Sequence, residues 1–189
     1  MRLGVLLLLA LPAAAAELRI EFPALQRMLA HEVFTQDGRR YVRGSAKQKC
    51  DFAYLENPQV SGKDSRLVVR ARFSGRTALD VMGRCIGLGD AFDLTLTGTP
   101  VYDKGALKFK DVTIETNKDS FYIRRVKRAL AQSMDREVRY DVNAAAKRML
   151  TIPPGSGQYT TELREFKVPS VRVDSDAVVL EVQFVLNVK

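Results

Sequence analysis

Leu67, Val69, Ala71 and Phe73 alternate along the chain with Val68, Arg70, Arg72 and Ser74, and Phe92, Leu94 and Leu96 alternate with Asp93, Thr95 and Thr97. A period of two puts each apolar set on one face of a strand, the signature of antiparallel strands with one buried side. With turn residues at 57–58, 62–64 and 103–105, the pattern predicts a meander of hairpin-connected strands over residues 39–116. A strand over residues 17–22 precedes it. A short helix then starts at Pro23, whose missing N–H costs nothing in a first turn. It carries Leu25, Met28, Leu29 and Val33 at helical spacing and stops near Phe34, before the turn Gln36-Asp37-Gly38.

Residues 119–150 change to a period of 3.6, with Ile123, Val126, Leu130, Met134, Val138, Val142, Ala145 and Met149 on one stripe. Asp119 or Ser120 is placed to cap the start, and Pro153-Pro154 ends the segment. An uninterrupted helix here would run about 45 Å at ~1.5 Å per residue, with Tyr140 or Asn143 as points for a break. Strands return over residues 159–168, 170–173 and 177–189. In the last, Val178, Leu180, Val182, Phe184, Leu186 and Val188 share an apolar face, the longest such run in the chain.

The first residues change the picture of where this domain works. Arg2 is followed by an apolar run over residues 3–11, then Pro12 and alanines at 13–16. This is the charged, apolar and small-residue order of a cleavable signal peptide, and it falls short of the roughly 20 residues needed to span a bilayer. The expectation is a signal peptide over residues 1–16 and a single domain over 17–189, soluble in the periplasm. No cysteine stands at the cleavage point to accept a lipid.

An oxidising compartment favours pairing the two cysteines, Cys50 and Cys85, over leaving two buried thiols. Loss of Arg2 reduces 30 Lys plus Arg to 29 against 22 Asp plus Glu, so the mature charge is about +7. After export that charge points away from nucleic acid and toward anionic membrane or envelope polyanions.

The residues offer little to an enzyme. His31 is the only histidine, which leaves no triad or histidine-rich metal site to assemble, and neither a G-x-S-x-G nor a phosphate loop is present. Gly83, Gly87 and Gly89 around Cys85 fit a bend or bulge among strands. No cofactor or metal is expected. Two features remain as candidates for binding. Arg124, Arg125, Lys127 and Arg128 concentrate charge near the start of the second helical segment, where cations oppose the helix dipole and so point to an anionic headgroup or partner. The stripe Val126, Leu130, Met134 and Val138, facing strand residues such as Phe73, Phe109, Phe184 and Leu186, is either a packed core or the wall of an elongated apolar groove.

The order of signal segment, short helix, meander, long helix and closing strands resembles bacterial envelope proteins of the tubular lipid-binding fold. The opening Ile20-Glu21-Phe22-Pro23 and the terminal alternating strand contribute to the likeness, and the small YceB-like lipoproteins provide the single-domain comparison. The resemblance implies an α+β fold in which a long curved antiparallel sheet wraps one long helix. It also implies a lipid or other elongated hydrophobic ligand held between them, without catalysis. The absent acylated cysteine separates this chain from the anchored members. Two other functions compete with this one: an interaction protein docking an anionic envelope partner through its basic helix face, and a carboxylate-based hydrolase.

Overall fold

The computed structural model describes residues 16–137, 139–153, 155 and 159–189. The expected signal peptide, apart from Ala16, and most of the turn after Pro153 lie outside them. Among the described residues, antiparallel sheet dominates and three helices accompany it, an α+β architecture.

β1 (Ala16–Glu21) leads into α1 (Phe22–Glu32), which has Pro23 in its first turn and buries Phe22. The meander follows as β2 (Arg39–Arg43), β3 (Asp51–Lys63), β4 (Arg66–Val81), β5 (Arg84–Asp103) and β6 (Ala106–Thr116), each antiparallel to the next. Its three tight turns each have two residues, Asp64-Ser65, Met82-Gly83 and Lys104-Gly105, all with positive φ. That geometry matches the right-handed twist of the flanking strands. The expected turn at 57–58 is instead a bulge within β3. The register slips between Glu56 and Gln59, and Asn57 takes φ 56°, so the strand bends without ending. This sheet curls into a half-barrel.

The segment expected as one long helix is divided. α2 (Phe121–Glu137) is followed by a two-residue strand, β7 (Tyr140–Asp141), and then α3 (Val142–Leu150). Tyr140 and Asp141 pair with Leu107 and Ala106 at the edge of β6, and the Asp141 carboxylate caps α3 by accepting from the Ala144 N–H at 2.7 Å. The Asn143 N–H donates to the Gly105 carbonyl, and the Tyr102 hydroxyl donates to the Asn143 side chain at 2.8 Å. Backbone satisfied by a sheet edge and a cap outweighs continuation of the helix, while Val142 and Ala145 keep the apolar stripe turned inward.

β8 (Thr161–Val173) runs straight through Pro169, with bulges that absorb the register shifts, and pairs with β9 (Ala177–Val188). β9 also pairs with β1, forming a second sheet in the order β1-β9-β8. β9 is therefore the central strand, and Ala177, Val179 and Leu180 are fully buried.

Two apolar clusters hold the molecule together. In one, Ile123 and Leu130 of α2 meet Phe73, Phe92, Leu94, Leu96 and Ile114 inside the half-barrel. In the other, Phe22, Leu67, Val142, Val168, Val178 and Leu180 join the second sheet to α1, α3 and the far end of the first sheet.

Candidate functional site

The four residues Arg124, Arg125, Lys127 and Arg128 lie in the first two turns of α2. Ser120 caps that helix by accepting from the Ile123 N–H at 3.2 Å, and Arg124 pairs with Asp119 through both carboxylate oxygens at 3.0 Å. An acid just before the helix start offsets the unfavourable position of that cation. Arg125 and Arg128 stand exposed, with no carboxylate partner among the described residues.

The expected groove residues do not line one surface. Phe73, Val126 and Leu130 belong to the packing under α2, whereas Phe109 packs with the other cluster. Val138 and the side chain of Met134 fall outside the described residues. Leu186 is half-buried and Phe184 is 45% exposed. The apolar face of β9 thus continues past its covered stretch: Val178, Leu180 and Val182 are buried, while Phe184 and Val188 on the same face are open to solvent.

The inner face of β4 and β5 behaves in the same way. Cross-strand pairs Phe73–Phe92, Gly75–Asp90, Thr77–Leu88, Leu79–Ile86 and Val81–Arg84 place all these side chains on the face that carries the core. β3 begins opposite Thr77 and β6 ends opposite Leu94, so the last part of the hairpin projects as a two-stranded arm. On it Leu79 is 75% exposed, Ile86 63% and Leu88 69%, and Met82 at the turn is completely exposed. The sequence carries a signal for this arm, since the alternation of 67–73 continues through Leu79 and Val81. Its exposure depends on where neighbouring strands stop.

The disulfide between Cys50 and Cys85 anchors the arm from its other face, bridging positions 35 residues apart. The Ala78 N–H also donates to the Cys50 carbonyl at 2.9 Å. At Gly87 a β-carbon would sit 2.3 Å from the Thr77 carbonyl oxygen, so only glycine permits this approach of the two strands. Beside the disulfide lies a cleft of about 450 Å³ lined by Phe52, Tyr54, Arg76, Cys85, Gly87 and Asp90. Phe52 and Tyr54 stack at 5.7 Å, and the Arg39 guanidinium lies 4.6 Å above the Tyr54 ring. A second cleft, of about 490 Å³, is lined by Tyr102, Asp103, Lys108, Phe109 and neighbouring residues.

At the base of the arm, Lys118 donates to the Asp90 carboxylate at 2.7 Å and holds it below its ordinary value of 3.8. The Lys108 ammonium does the same for Asp103 in the second cleft. Burial pushes the Tyr122 phenol up, and the Asp90 carboxylate adds to the shift.

A carboxylate depressed in the folded state stabilises it above the unfolded value, and that contribution disappears as pH falls through the folded value. Acid should therefore erode stability below about pH 4. Lys118→Met should shrink the difference between urea midpoints at pH 7 and pH 3 by removing the Asp90 share. An unchanged difference would show that this pair contributes nothing.

Among the described residues, no group of three or more His, Cys, Asp or Glu is placed to hold a metal ion, and no helix is long and apolar enough to cross a membrane. No family model matches the chain, and neither a curated protein nor a solved structure matches it.

Proposed function

We propose that this chain is an exported, non-enzymatic protein that binds a lipid or another elongated hydrophobic molecule in the periplasm. The observation that carries the reading is apolar strand surface left bare beyond the packed core on both sheets: Phe184 and Val188 on β9, and Leu79, Ile86 and Leu88 on the β4–β5 arm. Soluble monomers seldom leave contiguous apolar patches uncovered, and such surface commonly marks a binding site. The signal pattern of residues 1–16 supports an envelope location, and the Cys50–Cys85 disulfide is compatible with it.

In this reading acyl chains lie along the open strand faces, and Arg125 and Arg128 meet anionic headgroups. The finer picture, α2 enclosed by the curved sheet beside an apolar channel, belongs to the proposal as well. It rests on the half-barrel with α2 packed inside it.

Native mass spectrometry of protein isolated from its own envelope tests the reading, together with displacement of a fluorescent fatty acid. The expected result is a co-purifying lipid, with binding weakened about tenfold or more in Phe184→Asp, the order expected when a buried aromatic contact is lost. Absence of both lipid and displacement would overturn it.

A further inference from the structure

We propose that the β4–β5 arm is a membrane-docking finger whose tip inserts into the interface of a bilayer containing anionic lipid. The arm is amphipathic in the sense such insertion requires. One face carries Leu79, Val81, Ile86 and Leu88, and Met82 lies bare at the turn. At ~3.3 Å per residue, everything from Met82 back to the Leu79–Ile86 pair lies within about 10 Å of the tip. That depth matches the roughly 5–10 Å to which interfacial segments bury their apolar faces.

Charge selects the occupant. Arg84 lies beside the turn, Arg76 lies further back on β4, and Lys47 and Lys49 are exposed in the segment that the disulfide fastens to Cys85. None of the four has a carboxylate partner among the described residues. Asp80 is the acid at the tip, and it is engaged in accepting from the Gly83 N–H at 2.8 Å. Asp51 is paired with Arg43, and Asp90 with Lys118.

Four free cations against one acid around an apolar tip complement a negatively charged lipid surface. Long arginine side chains can also reach headgroups while their stems lie along apolar surface. The disulfide and the close approach at Gly87 keep the ribbon formed before it meets the bilayer, so docking does not have to order a flexible loop. This proposal deepens the lipid-binding reading by naming the element that meets the membrane. It is separable from that reading, because a carrier without bound lipid in native mass spectra can still dock, and a loaded carrier can fail to.

The chain contains no tryptophan, so Met82→Trp introduces a single indole at the tip. With the full exported protein, vesicles of phosphatidylcholine mixed with phosphatidylglycerol should blue-shift its emission, and brominated acyl chains should quench it. Vesicles of phosphatidylcholine alone should do so far more weakly. Co-sedimentation should weaken at least about tenfold in the double variant Leu79→Asp with Ile86→Asp. Arg84→Glu, which leaves the apolar face intact, should cost about fivefold or more. All these positions are exposed, so unfolding midpoints should stay near that of the parent. An indole with unshifted emission, or sedimentation indifferent to both variants, would overturn the proposal. So would a parent dimer that the apolar variant dissociates, since the arm would then be a contact between copies.

Discussion

Replacing Cys50 and Cys85 together by serine is expected to lower stability by about 4 kcal/mol, the chain-entropy value for closing a loop over a sequence separation of 35. For a chain of this size that corresponds to a fall in Tm of roughly 10 °C. The structure adds where the effect should concentrate. Cys85 lies two residues beyond the Met82-Gly83 turn, and Cys50 precedes the first residue of β3, so the bond fastens a ribbon that has lost its flanking strands to the edge of the sheet. Without the bond, backbone amides of residues 78–86 should exchange with solvent markedly faster, while those of 94–97, between β4 and β6, keep their protection. Hydrogen exchange followed by mass spectrometry reads both regions in one experiment. Uniform loosening of the two would show that the disulfide acts on the whole domain and not on the arm. If the arm docks to lipid, the same variant should also lose vesicle affinity, because it must order the ribbon on binding.

Phe73→Ala should cost about 3–5 kcal/mol, the range for removing a fully buried aromatic side chain. Phe73 is 1% exposed and lies against Phe92 with ring centroids 4.9 Å apart, beneath the helix residues Ile123 and Leu130. Its ring also fills the space above Gly75, where an added β-carbon would meet it at 2.7 Å. The surrounding strands are held by their ladders and cannot collapse into the gap, so the cavity penalty adds to the lost burial. Phe184→Ala provides the control. That side chain has the same chemistry but is 45% exposed, and its loss should cost well under half as much. Urea unfolding followed by far-ultraviolet circular dichroism measures both. Equal costs would mean that Phe184 is buried in solution, by ligand, by partner or by residues outside the described ones.

Much of the secondary structure was legible from spacing. The alternation through Phe73 and Phe92, the helix behind Pro23 and the closing run from Val178 each reported a local period that burial on one side imposes. For the division between α2 and α3, spacing marked Tyr140 or Asn143 as points for a break but not its cause. Both helices turn residues of that stripe inward, although Met149 at the end of α3 is exposed, and the break exists because Tyr140 and Asp141 found the free edge of β6. Asn57-Pro58 misled for a related reason: a left-handed asparagine bends a strand as readily as it ends one, and pairing with β4 on both sides decides which. The candidate groove residues shared an apolar character that spacing detects. Their partition into two clusters follows from the separate sheet formed by β1, β9 and β8.

By itself, the sequence determined which face of each strand and helix is apolar, because side-chain periodicity is a property of the backbone and needs no neighbours. It also supplied the two cysteines and the surplus of cations. Only the tertiary structure decided which stretches of those faces are covered. Phe73 and Leu79 occupy equivalent positions on one strand, yet the first lies beneath α2 and the second projects into solvent. Burial is settled by how far α2 reaches over the sheet, since apolar surface leaves water only where another element lies over it.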